Sequence, residues 1–153
     1  MTVDTPVNAE TPTPVRPFTV LLRPTTRGAR FARRLVVSQL LGWGVPHTAP
    51  VIEDAGAFAA ELAANAIAHG RTSGRDFRLT LGLVPASGRL RIAVSDTRPD
   101  RLPPRPGTVS APPPEAEGGR GLLLVEALAV DWGWAADDPV VKTVWAGLDL
   151  TPA

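Results

Sequence analysis

Glu61-Leu62-Ala63-Ala64-Asn65-Ala66-Ile67-Ala68-His69 sets a carboxylate, an amide and an imidazole at four-residue spacing. A helix turns about 100° per residue, so positions 61, 65 and 69 lie on successive turns of one face. A second stripe, Ile52, Ala55, Ala59, Leu62 and Ala66, is apolar and can pack against a sheet. From this segment alone two readings of the polar stripe stand: a solvated face on an Ala-rich helix, or a row of groups aimed at a ligand. His69 reads more naturally as a helix-end residue than as a catalytic one.

Downstream, Arg89-Leu90-Arg91-Ile92-Ala93-Val94-Ser95-Asp96 alternates as a half-buried strand should, with Leu90, Ile92 and Val94 on one side. Asp96 continues the apolar parity. A carboxylate on the core side of a strand end is costly unless something donates hydrogen bonds to it, and the exocyclic amino group of a purine is such a donor. The plainer alternative is that Asp96 caps the turn at Thr97-Arg98-Pro99. Further on, Gly118-Gly119-Arg120-Gly121-Leu122-Leu123-Leu124-Val125 runs glycines straight into an apolar helical stretch. Glycines let a backbone approach a ligand closely, and a helix start offers unpaired N–H groups with a favourable dipole, so phosphate oxygens suit this place. A simple turn is the alternative.

In this order and at these distances the three segments resemble the N box and the two G boxes of the GHKL (histidine-kinase-like) ATPase superfamily, which includes the catalytic domains of histidine kinases, gyrase and MutL. The small size, Val94-Ser95-Asp96-Thr97-Arg98-Pro99, the glycine segment and Lys142-Thr143-Val144-Trp145-Ala146-Gly147-Leu148 are most similar to the stand-alone anti-sigma-factor serine kinases and related actinobacterial ATP-binding regulators. The resemblance covers about residues 17–150 and implies ATP and Mg²⁺. It makes Glu61 the general base and Asn65 the Mg²⁺ ligand, with Asp96 reading the adenine amino group. Gly119 and Gly121, with Leu122, would wrap the triphosphate; apart from the resemblance, the place of Arg120 between the two glycines puts it within reach of a terminal phosphate, or leaves it one more Arg of an Arg-rich chain. The chain departs from the family pattern in two places. The first G box usually runs Asp-x-Gly-x-Gly, whereas Thr97-Arg98-Pro99 supplies no glycine, so the loop beside the adenine takes a different path. Near the last strand many members carry a Gly-Thr pair whose hydroxyl helps hold the purine; here Val141-Lys142 stands in its place, with Thr143 one position later as the candidate hydroxyl.

Length and composition agree. A chain of 153 residues suffices for one well-buried domain and is short for two. The absence of Cys excludes disulfides and thiolate metal sites and suits a reducing cytoplasm, and two histidines are too few for a His-rich metal site. No apolar run reaches membrane-spanning length, and the first residues lack the features of a secretion signal, so a cytoplasmic protein without membrane contact is expected. The formal charge of +1 and the scatter of basic residues do not imply direct nucleic acid binding. Fifteen of the sixteen basic residues are Arg, which reads as the coding bias of a GC-rich genome and weakens arguments from Arg alone. Arg27, Arg30, Arg33 and Arg34 still cluster on a helix that Thr26 would cap; Arg27, Arg30 and Arg34 form either a solvated face or a docking surface for an acidic partner.

Four of the seventeen prolines fall in the first seventeen residues, so residues 1–16 are expected to be a disordered Pro/Thr-rich tail ahead of a domain over 17–150. Seven more lie between Pro99 and Pro114, which makes 97–117 a loop too long for an ordinary connection. It separates Asp96 from the glycines, where the superfamily keeps its ATP lid. The remaining pattern predicts strands at 18–22, 77–83, 89–96, 131–136 and 140–149, and helices at 26–41, 50–68 and 120–130. That order matches an α/β sandwich (α+β) of the Bergerat type, with a mixed, mostly antiparallel sheet and helices on one face.

Three functions suit such a site. The leading one is an anti-sigma serine/threonine kinase that binds a sigma factor and phosphorylates an anti-anti-sigma protein. The second is a non-catalytic ATP-binding module whose nucleotide-ordered lid docks a partner, and the third is an interaction domain with an empty site. Histidine kinases and gyrase-type clamps need further segments that the chain is not expected to carry. Retention of Glu61 favours the enzyme, and a homodimer of the kind many relatives form stays open.

Overall fold

Leu79 and Leu81, then Leu90, Ile92 and Val94, are the buried positions of two neighbouring strands, as their alternation predicts. The computed structural model describes residues 15–70, 75–84, 88–97, 103, 105–109, 121–136 and 141–150. Within them the elements run β1 (Val15–Leu22), α1 (Thr26–Gly42), α2 (Pro50–Gly70), β2 (Phe77–Val84), β3 (Arg89–Asp96), α3 (Gly121–Leu128), β4 (Asp131–Ala135) and β5 (Lys142–Asp149).

The sheet has the order β1-β2-β3-β5-β4, and every described pairing is antiparallel rather than mixed. Connectivity explains this. Two helices separate β1 from β2, so the chain reverses three times and returns antiparallel. The one helix between β3 and β4 leaves those strands running the same way, but β5 inserts between them and removes the only parallel neighbours.

β1 begins inside the expected tail. Val15 pairs with Leu83 and Phe18 with Leu81, with an irregular register between them, where Pro17 has no N–H to give the ladder. The cap of α1 is Thr25 rather than Thr26: its Oγ1 accepts from the Gly28 N–H at 3.1 Å. At the other end Gly44 adopts φ +93° while the Val45 N–H reaches the Leu40 carbonyl at 3.0 Å, a left-handed stop that Gly42-Trp43-Gly44 predicts.

The main core cluster lies on one side of the sheet, with Trp145 buried on the other. Ala32, Val36 and Leu40 from α1 and Ala55, Phe58, Ala59, Leu62 and Ala66 from α2 join Leu79, Leu81, Leu90, Ile92 and Val144 in a single cluster. The predicted apolar stripe of α2 is therefore the face that meets the sheet, which leaves Glu61 and Asn65 half-buried at its margin. On the opposite sheet face the Arg91 guanidinium stacks over Trp145 at 4.9 Å, and Arg89 reaches Asp131 at 3.4 Å and Asp149 at 3.6 Å. Burial lowers the proton affinity of Arg91, an effect that nearby Asp131 opposes.

Candidate functional site

Glu61 meets the first residue of α3. A Cβ built on Gly121 would collide with Glu61 Oε2 and stand 3.0 Å from its Cδ, so any larger residue at the start of α3 would displace this carboxylate. The long helix α2 and the glycine segment, far apart in sequence, are thus brought into contact at two of the predicted site residues. Asn65 follows one helical turn later on α2, half-buried. Leu122 is half-buried and packs against the core, leaving its backbone as the part available to a ligand. Gly119 and Arg120 lie outside the described residues, as does the imidazole of His69.

Asp96 closes β3 on the core side, as its parity predicts, and is 5% exposed. Its donor is in the protein. Lys142, directly across on β5, sets Nζ 3.2 Å from Asp96 Oδ2 and is itself 2% exposed. Sequence reasoning missed this partner of Asp96, and two signals pointed to it. Lys142 shares the parity of Val144, Ala146 and Leu148, and it is the only lysine in a chain that otherwise carries positive charge on Arg. Thr143, the candidate purine hydroxyl, corrects in the other direction. One residue on from Lys142, it projects from the other sheet face, where its Oγ1 lies 2.8 Å from Ser95 Oγ. Strand pleating alone takes Thr143 away from Asp96.

Part of the segment between β3 and α3 is seated on the body of the protein. Pro103 is buried and Val109 packs on the core. Glu126 of α3 uses both carboxylate oxygens as a clamp: Oε1 accepts from the Gly107 N–H at 2.5 Å, and Oε2 accepts from the Trp132 indole N–H. The rest of the expected lid over 97–117 falls largely outside the described residues.

The cavities lined by described residues leave Glu61 and Asp96 apart. A space of about 80 Å³ touches Asp96 but opens toward Leu21, Arg78 and Ser95 on the outer sheet face, and is too small for a nucleotide. A groove of about 840 Å³ lies instead between α1 and the start of α2, lined by Arg30, Arg33, Arg34, Val37, Leu41, His47 and Glu53 among others. Neither Glu61 nor Asp96 lines it, so it is a separate surface and the chemistry is better located by the convergence of side chains. Arg27, expected to share that face, lines a different hollow with Leu21 and Phe31.

Among the described residues no three His, Cys, Asp or Glu side chains converge on a metal position. A magnesium ion held mainly by triphosphate oxygens needs only one or two protein ligands, so the single amide of Asn65 is a sufficient donor set for that arrangement. No described helix is long and apolar enough to cross a membrane.

The sequence matches the family described as Histidine kinase-like ATPase domain over residues 25–146, and the chain belongs to that family. Among solved structures it is similar to the chain containing the RsbU and RsbW domains of Rv1364c from Mycobacterium tuberculosis, with 23% identity and a TM-score of 0.63. The match covers 93% of this chain and 34% of that one, so this chain spans about a third of its length and the likeness is one of fold. No curated protein matches the chain.

Proposed function

We propose that this domain binds ATP with Mg²⁺ and acts as a serine/threonine kinase of the anti-sigma type, with an anti-anti-sigma protein as acceptor and a sigma factor as the other partner. The observation that carries the proposal is the approach of Gly121 to Glu61, which puts a carboxylate beside a helix start suited to phosphate. A site for nucleotide binding alone has no use for a base there. The family match supports ATP as the ligand, and the RsbW domain of the similar structure is consistent with a regulatory setting.

In this reading the backbone from Gly119 to Leu122 would hold the phosphates, and Asn65 would hold a magnesium ion whose charge would offset that of the triphosphate. Asp96 accepts from the adenine amino group. The serine hydroxyl oxygen of the acceptor forms the new bond to the γ-phosphorus as the bond from that phosphorus to the β,γ-bridging oxygen breaks. ADP leaves, and Glu61 takes the hydroxyl proton. Phosphoryl transfer of this kind rests on positioning and electrostatics, which suits a site assembled from rigid helices and a strand end.

The test is transfer of labelled phosphate to small anti-anti-sigma-like proteins from the same genome. Glu61→Gln keeps the shape and removes the base, so transfer should fall roughly 10²–10⁴-fold while ATP affinity stays within a few-fold. Asn65→Ala should weaken ATP–Mg²⁺ binding and transfer together. Equal transfer by Glu61→Gln would remove the general-base role. Tight ATP binding without transfer to any acceptor would favour the second reading, a binding module whose lid docks a partner; the clamp of Gly107 by Glu126 is the observation on its side.

A further inference from the structure

We propose that Lys142 is a base-reading residue: in the ATP-bound protein its Nζ donates to the purine N1 while Asp96 accepts from the 6-amino group. This rests on the ATP-binding reading above and goes beyond it, because the family resemblance assigns the purine to a carboxylate and a hydroxyl and gives a lysine no part.

Four observations converge on it. Lys142 and Asp96 are cross-strand partners at the same end of β3 and β5, with Nζ and Oδ2 3.2 Å apart. Two groups that close can address neighbouring atoms on one edge of a single ring. They are complementary in kind: an ammonium donates and cannot accept, whereas a carboxylate accepts and cannot donate, and an adenine edge shows an acceptor at N1 next to a donor at the amino group. An ammonium carries three N–H groups and a carboxylate two oxygens, so a bonded pair can serve each other and a ligand together. Thr143, the hydroxyl that would otherwise supply the second contact, is on the other sheet face. Finally, the chain spends its only lysine here. A compact ammonium with rotatable donors fits beside a strand-end carboxylate where a planar guanidinium fork would demand more room.

The burial of both groups has a second consequence for the base. Without a ligand, each charge offsets the other in a site closed to water. An incoming adenine therefore meets a donor and an acceptor already side by side, while the space of about 80 Å³ at Asp96 has to open to admit the base. Guanine could address the pair only by shifting, with O6 on Lys142 and N1–H on Asp96. The ratio of ATP to GTP affinity thus mixes several effects, and the N1 contact has to be isolated by an analogue.

The experiment is calorimetric titration of the full chain with ATP–Mg²⁺ and 1-deaza-ATP–Mg²⁺, in which a C–H replaces N1 and leaves the amino group. Wild type should bind the analogue about 10- to 100-fold more weakly than ATP, the size of one charge-assisted hydrogen bond. Lys142→Met should bind both alike. Since that variant leaves Asp96 buried without its cation, Lys142→Arg and the double variant Asp96→Asn/Lys142→Met are measured beside it, with circular dichroism to confirm folding. The double variant should also fail to distinguish the two nucleotides, and the wild-type comparison needs no variant at all. Binding of ATP and 1-deaza-ATP within threefold by wild type would overturn the proposal while leaving the ATP reading intact. Tighter ATP binding by Lys142→Met would also overturn it, by showing that the lysine obstructs the base. Absence of any adenine-nucleotide binding would refute the ATP reading and this proposal with it.

Discussion

Asp96→Asn removes one charge from a buried pair and tests the architecture independently of any ligand. At 3.2 Å and an effective dielectric constant of about 20, attraction between unit charges is about 5 kcal/mol. The side chains are only 2% and 6% exposed, so solvent screens little of it, while both charges have already lost their hydration. The net worth of the pair against two apolar residues is therefore small, but breaking it leaves Lys142 buried against a neutral amide and should cost about 3–5 kcal/mol. For a domain of this size that lowers the melting temperature by about 6–20 °C. Asp96→Asn/Lys142→Met removes both charges and should recover most of the loss. Thermal unfolding followed by circular dichroism reads the shift, and urea titration with an unchanged slope confirms that stability alone has moved. If Asp96→Asn melts within about 2 °C of wild type, or the double variant is no better than the single, the two groups are not an energetic pair and the reasoning fails. Nucleotide affinity of Asp96→Asn is to be measured well below its midpoint; there ATP binding should drop roughly tenfold or more relative to wild type.

Gly121→Ala places a Cβ against the Glu61 carboxylate, the mobile end of a flexible side chain, so the fold should lose about 1 kcal/mol or less while phosphoryl transfer drops at least tenfold; retention of full transfer would detach Gly121 from the chemistry. Hydrogen exchange across 97–117 should slow with ATP–Mg²⁺, and Glu126→Ala should speed exchange at Gly107 in the absence of nucleotide; identical exchange with and without saturating nucleotide would make the segment a plain linker. Arg30→Glu/Arg34→Glu, in the groove between α1 and α2, should weaken binding of an acidic partner protein at least tenfold at low salt and by less at high salt; unchanged binding would return those arginines to a solvated face.

The readable part of the fold was written in periodicity. Leu90, Ile92 and Val94 announce β3, and Ile52, Ala55, Ala59, Leu62 and Ala66 announce the buried face of α2, because each pattern has one period and one wet side. Asp96 was legible for the same reason: a carboxylate in an apolar parity has to be answered by a donor. Which donor answers it was not legible, since that depends on the register between β3 and β5 across a long excursion of the chain, and register is a tertiary property. The face of Thr143 was lost with it, although a one-residue step is all that separates it from Lys142. The apposition of Glu61 and Gly121 was not legible, because no local rule says that the start of α3 comes to rest on the middle of α2. The error at Thr25 is of a humbler sort, two adjacent threonines offering the same cap.

The insertion of β5 between β3 and β4 means that Asp96 and Lys142 are also the two ends of one closed loop of chain. Between them the chain leaves the sheet at Asp96, forms α3, adds β4 at the sheet's edge, and reaches the neighbour of β3 only at Lys142. Pairing β3 with β5 therefore closes that whole excursion, and the entropy of closing it is offset by a ladder running from Asp96↔Lys142 to Arg89↔Asp149. A ligand that spans the end of β3 and the start of α3 would fasten the same closure. Occupancy of the site and completeness of the fold then become one equilibrium, through which the supply of nucleotide would set how much of the protein stays intact.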